Sequence, residues 1–193
     1  MDKNFPTPPS TSLANNDFEK RVLEEIDKHE QDHLNVPPVD GRMLRLLTEA
    51  AGAKNVVEIG TSTGYSGLWF SLALHETGGH LTTFEADAGR AAAAREHFRK
   101  AGVENLVTII EGNARENIKQ LSETIDVLFL DADKEGYIEY FNRMLPLVRP
   151  GGLILAHNVD MIANYNNFVT TQAGLETLFY MEGNGLAITL KKA

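Results

Sequence analysis

Val56-Val57-Glu58-Ile59-Gly60-Thr61-Ser62-Thr63-Gly64-Tyr65-Ser66 is an apolar run that enters a turn carrying two glycines and leaves into Leu68-Trp69-Phe70-Ser71-Leu72-Ala73-Leu74, an apolar stretch of helical length. It reads as a buried strand, a tight turn and a helix start. Glycine removes the Cβ that would hold a ligand off the backbone, and a helix N-terminus offers unpaired N–H groups to an anion. The expected ligand therefore carries a carboxylate or a phosphate. Three residues separate Gly60 from Gly64, so the spacing departs from the dinucleotide pattern G-x-G-x-x-G and argues against NAD. Glu58, just before the first glycine, suits a ligand with a positive amino group beside its carboxylate, such as a methionine-type amino acid. The same residues also satisfy G-x-S-x-G, with Asp131 and His157 following Ser62 in the order of a serine hydrolase. That second reading is the weaker one, because an elbow serine follows several strands and the segment before Val56 looks helical and Pro-rich.

Toward the N-terminus, residues 1–16 hold Pro6, Pro8, Pro9 and several Ser, Thr and Asn, the composition of a flexible arm. A single domain is expected over 17–193. Asp17 is a plausible N-cap for an amphipathic helix marked by Phe18, Val22 and Ile26. His29 and His33 stand four apart on it and could share a metal, but two solvated histidines near a helix C-terminus is the preferred reading. Val36-Pro37-Pro38-Val39-Asp40-Gly41 breaks that helix, and Met43, Leu44, Leu46, Leu47 and Ala50 start another.

Toward the C-terminus the pattern repeats as strand, then helix. Strands are expected at 81–84, 106–110, 125–130 and 153–156, with helices at 88–101, 114–121 and 137–148. Strands apolar on both faces that alternate with helices indicate a parallel sheet covered on both sides. The fold class is doubly wound α/β. Residues 175–181 and 186–190, joined across Glu182-Gly183-Asn184-Gly185, read as an antiparallel hairpin on its edge.

Composition narrows the function. A net charge of -9 argues against a general nucleic-acid binder, and a small-molecule partner fits better. The absence of cysteine removes disulfides, thiolate metal sites and thiol nucleophiles, and is compatible with a cytoplasmic protein. No apolar run approaches the roughly 18 residues of a membrane span.

In open α/β sheets the ligand lies beyond the carboxyl ends of the strands. Those ends carry Glu58 and Gly60, then Glu85, then Gly112-Asn113-Ala114, then Asp131-Ala132-Asp133-Lys134, then His157-Asn158. Glu85, about 25 residues after Gly60, is placed to accept hydrogen bonds from both hydroxyls of a ribose.

Three motifs together, Val57-Glu58-Ile59-Gly60-Thr61-Ser62-Thr63-Gly64-Tyr65-Ser66, Phe129-Leu130-Asp131-Ala132-Asp133-Lys134-Glu135-Gly136-Tyr137 and Leu147-Val148-Arg149-Pro150-Gly151-Gly152-Leu153-Ile154, resemble those of the S-adenosylmethionine-dependent O-methyltransferases. The nearest branch is the metal-dependent catechol and caffeoyl-CoA O-methyltransferases. The resemblance runs over about 38–191. It implies a mainly parallel, seven-stranded class I methyltransferase sheet of Rossmann-like type, a homodimer, and methyl transfer to a hydroxyl of a small catechol-like or phenylpropanoid aromatic acceptor. It places the methionine end of S-adenosyl-L-methionine against Glu58, Gly60, Thr61 and Ser66, the ribose on Glu85, and the adenine near Asn113 and Ala114, with Asp131 also on the cofactor side. Lys134 matches the general base. Asp131 matches a metal-binding aspartate and Asn158 a metal-binding asparagine.

One departure stands out: the family usually has Asp-Asn at the end of the fifth strand, and this chain has His157-Asn158. An imidazole suits Zn²⁺, Fe²⁺ or Ni²⁺ better than Mg²⁺. A softer metal on Asp131, His157 and Asn158, a weak Mg²⁺ site, or no metal with His157 as a second base are the three outcomes this allows. A methyltransferase-like protein that binds the nucleoside without the chemistry is the non-catalytic alternative. Asn113, where the family often has aspartate, is a smaller departure.

Overall fold

The computed structural model describes residues 14–30 and 35–193. Most of the arm expected at 1–16 lies outside them, and so does His33. Seven strands, β1 (Asn55–Ile59), β2 (His80–Glu85), β3 (Val107–Glu111), β4 (Ile125–Leu130), β5 (Val148–His157), β6 (Leu175–Tyr180) and β7 (Leu186–Lys191), form one sheet in the order β3-β2-β1-β4-β5-β7-β6. The first five are parallel, and β7 runs antiparallel to both β5 and β6. The doubly wound fold with a terminal hairpin is therefore the one observed.

Side-chain alternation along the strands sorts the two faces. Val56, Leu81, Val127, Phe129 and Leu155 pack into one core, with α1 (Asp17–His29), α2 (Pro38–Ala50), α3 (Tyr65–Thr77) and α4 (Ala88–Ala101) over it. Val57, Ile59, Phe84, Leu128, Leu130, Ile154 and Ala156 face the other core, covered by α6 (Tyr137–Met144), α7 (Ala163–Val169) and Ile118 beyond the short α5 (Ala114–Asn117). Helix α3 is buried at every position from Tyr65 to Leu74, which is why it lacks a polar stripe.

The parity of this alternation positions the site. Glu58 pairs in register with Thr83 on β2 and Phe129 on β4, and Phe129 pairs with Leu155 on β5. Glu85, Asp131 and His157 lie two residues further along their strands from Thr83, Phe129 and Leu155. All therefore project from the sheet face beneath α2 and α3, at its carboxyl edge.

Several boundaries differ from expectation. Asn16, not Asp17, caps α1, its side chain accepting from the Glu19 N–H. Helix α6 ends at Met144 instead of running to 148, because Pro146 has no N–H to donate and its ring excludes the preceding turn. Strand β5 begins at Val148 and passes through Pro150-Gly151-Gly152, which bulges: Val148 pairs with Ile125 while Leu153 already pairs with Val127. The helix expected at 114–121 is one turn of α-helix followed by a 3-10 turn. Helix α7 was not anticipated. Among the described residues no helix is long and apolar enough to cross a membrane.

Candidate functional site

A cavity of about 1090 Å³ opens at the carboxyl edge of β1, β2, β4 and β5. Gly60, Thr61, Ser62 and Ser66 line one end, Glu85, Asn113 and Ala114 another, and Asp131, Lys134, His157 and Asn158 a third. Of the cofactor, base and metal residues expected from the sequence, Glu58 is the one that does not reach the wall.

The loop after β1 owes its path to Gly60. Its φ is +110°, a conformation L side chains rarely adopt, and a Cβ there would collide with the Asp131 carbonyl. The backbone of the cofactor-type turn thus rests directly on the end of β4. Gly60 N and Thr61 N both donate to the Phe84 carbonyl, tying the loop to β2 as well. The Ser62 N–H donates to Glu85 Oε2 at 2.8 Å, while the Ser62 hydroxyl is buried with no partner. An unpaired buried hydroxyl on a cavity wall is a group a polar ligand would satisfy.

Glu58 lies behind this wall, fully buried. Its carboxylate accepts from Ser66 Oγ at 2.5 Å and Thr83 Oγ1 at 2.6 Å. Burial pushes its carboxyl up to about 7 despite those two hydrogen bonds, and the nearby charges of Asp131 and Glu85 add to the rise. Ser66, whose hydroxyl it holds, does line the cavity. Glu85 is shared: Oε1 accepts from Arg90 Nη2 at 2.7 Å and from the Asp87 N–H at 2.9 Å.

At the opposite end Lys134 Nζ donates to Asp131 Oδ1 and to the Tyr137 hydroxyl, both at 2.9 Å. His157 completes the cluster in an arrangement the sequence did not reveal. Its Nδ1 lies 3.2 Å from Asp131 Oδ2, and its Nε2 lies 3.0 Å from Oδ2 of Asp40, a fully buried residue of α2. Asp40 also accepts from the Asn184 N–H at the tip of the β6–β7 hairpin, 2.9 Å away. Burial opposes charge on the imidazole, but hydrogen bonds to the two carboxylates outweigh it and raise His157 to about 9. Burial would likewise raise Asp131, yet the hydrogen bond and charge of His157, with Lys134, hold it below the usual carboxylate range.

Asp131 and His157, expected to hold a divalent ion with Asn158, are thus brought together, but the donor atoms of these two do not fit one. Both ring nitrogens of His157 face carboxylate oxygens and so act as N–H donors, leaving no lone pair for a metal. Both oxygens of Asp131 are engaged, by Lys134 and by His157. Among the described residues the one group of three His, Asp or Glu ligand atoms within 4.8 Å of each other is Glu25, His29 and His97, on α1 and α4. There His29 stacks on His97 at 3.9 Å and approaches Glu25 at 3.2 Å, and His97 Nδ1 donates to the Thr63 carbonyl at 2.9 Å. His29 is therefore a packed residue rather than a solvated one, and the cluster braces the Gly60–Gly64 loop from behind.

The hydrolase arrangement is not formed: neither His157 nitrogen is left for Ser62, and β1 is the first strand of the sheet. Sequence reasoning missed Asp40, Thr83, Arg90 and Tyr137. Thr83 was accessible, since the parallel pairing of β1 and β2 sets it beside Glu58. Asp40 was not, because nothing local tells that an aspartate on α2 meets a strand end 117 positions later.

A catechol O-methyltransferase of Niastella koreensis is 42% identical over 130 residues, 65% of this chain and 58% of that protein. Tricin synthase 1 of Oryza sativa is 34% identical over 141 residues, 68% of this chain and 56% of that protein. The chain therefore matches little more than half the length of these curated relatives. An O-methyltransferase from Bacillus cereus solved in complex with SAH superposes with a TM-score of 0.79 at 26% identity, covering 93% of each chain. The profile of the O-methyltransferase family matches residues 9–172, and the chain belongs to that family.

Proposed function

We propose that this chain transfers a methyl group from S-adenosyl-L-methionine to a hydroxyl of a small catechol-like or phenylpropanoid aromatic. The observation that carries the reading is the position of Lys134, the one amine among the lining residues, held by Asp131 and Tyr137 in the same cavity as the Gly60 loop. Bound S-adenosylmethionine supplies an electrophilic methyl on a sulfonium; the protein must hold an oxygen in line with it and remove that oxygen's proton.

Each residue has a part in this reading. Gly60 and Thr61 let the methionine end lie against the backbone, and Ser66, backed by Glu58, meets its ammonium. The unpaired Ser62 hydroxyl and Glu85 take polar groups of the cofactor, the ribose hydroxyls falling to Glu85, while Asn113 and Ala114 flank the adenine. Lys134 accepts the proton of the acceptor hydroxyl, and Asp131 fixes the amine's direction. Met161, Asn158 and Asn184 line the cavity beside β5 and the hairpin, where a flexible thioether suits an aromatic ring.

The test is methyl transfer to a panel of catechols and phenols, with cofactor binding followed by calorimetry. Lys134→Ala should lower kcat by about 10²- to 10⁴-fold while leaving cofactor affinity within a few-fold. Tight cofactor binding with no turnover on any phenol would move the reading to another acceptor class or to the non-catalytic alternative. The family resemblance also supports a homodimer, to be checked by light scattering, and the lack of cysteine suits a cytoplasmic setting.

A further inference from the structure

We infer that this chain's site operates without a divalent cation, its place taken by the chain of hydrogen bonds Asp40–His157–Asp131–Lys134. The inference deepens the methyltransferase reading and rests on it, because it concerns the catalytic end of that same cavity.

The donor chemistry of Asp131 and His157 is already spent within the protein. A hard cation takes six or more oxygen ligands and draws its affinity from carboxylates that lack another counter-charge. Asp131 has no such oxygen: Oδ1 meets Lys134 Nζ at 2.9 Å and Oδ2 meets His157 Nδ1 at 3.2 Å. A softer cation would need an imidazole lone pair, and Nε2 is turned 3.0 Å from Asp40 Oδ2 in a pocket closed to solvent. Turning the ring to free that nitrogen would leave the Asp40 carboxylate buried with only the Asn184 N–H, and one of its oxygens already lacks a partner. Stranding a buried charge in this way costs several kcal/mol.

Charge balance points the same way. Two carboxylates with an imidazolium between them carry one net negative charge, which Lys134 offsets in its resting ammonium form, before it gives up the proton that frees it to act as the base. The quartet is neutral before any ion arrives, so a dication gains little there. Aspartate at position 157, as the resembled branch has it, would remove one positive charge and add a negative one. The strand-five histidine and the α2 aspartate thus form a matched pair, each of which makes the other tolerable.

The experiment is a titration of Mn²⁺ into the chelator-treated full chain, read by the electron paramagnetic resonance of free Mn²⁺, alongside methyl transfer with and without chelator. The wild type should leave the free Mn²⁺ signal undiminished and keep its turnover within twofold in chelator. Asp40→Asn/His157→Asp, which rebuilds a carboxylate pair with Asp131 and removes the facing charge, should take up Mn²⁺. Stoichiometric Mn²⁺ uptake by the wild type that Asp131→Asn abolishes would overturn the inference, as would a more than tenfold fall in turnover that Mg²⁺ restores. If no acceptor is methylated under any condition, the activity reading fails on its own, while the Mn²⁺ titration of the wild type still decides the question of the ion.

Discussion

Glu58 is a carboxyl set where water does not reach it, and the consequence is a proton linkage that can be measured. Its folded pKa of about 7 lies above the ordinary 4.5, so below pH 7 the site holds a neutral acid that binding of a cofactor ammonium would ionise. Cofactor affinity should therefore tighten as pH rises from 5.5 to 7, by up to about tenfold per pH unit, with a proton released on binding. Calorimetry in buffers of different ionisation enthalpy would count that proton. In Glu58→Gln the pH slope should vanish and the affinity weaken; a wild type whose affinity is flat across this window would remove Glu58 from the cofactor's reach. Residues of this kind were legible because local pattern fixes them: Glu58, Glu85 and Asp131 follow from the period-two alternation of their strands, and Gly60 and Ser66 from the glycine loop that leads into α3. Asp40 was illegible for the opposite reason. Its meaning depends on where α2 crosses the sheet, and amphipathic periodicity says that a helix buries a face without saying against which strand end.

Helix α2 makes that crossing through one close approach. A Cβ at Gly41 would fall within the Trp69 ring of α3, so the two helices pack as near as they do because residue 41 has no side chain. Gly41 immediately follows Asp40, and the packing that admits Trp69 also sets the depth at which the aspartate meets His157. Gly41→Ala should force α2 outward, an overpacking cost of about 1–3 kcal/mol, or roughly 2–12 °C in Tm for a chain of this size. It should also lower turnover beyond what the stability loss explains, because His157 loses its partner; equal activity per folded molecule would show that α2 placement is not felt at the site. Element types were readable where an apolar run was long and bounded by glycine, as in β1 and α3, or by polar residues at both ends, as in β4. Readings failed where one residue overrode a favourable window. Pro146 ends α6 inside a stretch that otherwise looks helical, and Pro150-Gly151-Gly152 bulges within β5 although those residues usually end a strand.

For the molecule as a whole, two buried groups bind their protons more tightly folded than unfolded, and together they set the pH at which the ligand-free chain is most stable. Glu58 contributes below its unfolded value of 4.5 and loses that contribution as pH rises through about 7. His157 contributes fully below 6.5 and loses it as pH rises through about 9. Asp131, held below the usual carboxylate range, works in the other direction and weakens the fold only under strongly acid conditions. The sum places the stability maximum at about pH 4–5, with a loss of several kcal/mol by pH 9. Urea midpoints measured from pH 4 to 9 should fall steadily above about 5, and a midpoint that stays level or rises from 5 to 9 would mean the two protons are not held as the geometry requires. Saturating cofactor should flatten the part of this slope due to Glu58, because an ammonium held at Ser66 favours the ionised carboxylate behind it, and leave the His157 part in place. That division separates the two ends of the cavity in one experiment: the strand-one carboxyl answers to the ligand, and the imidazole between Asp40 and Asp131 answers only to the fold that holds it.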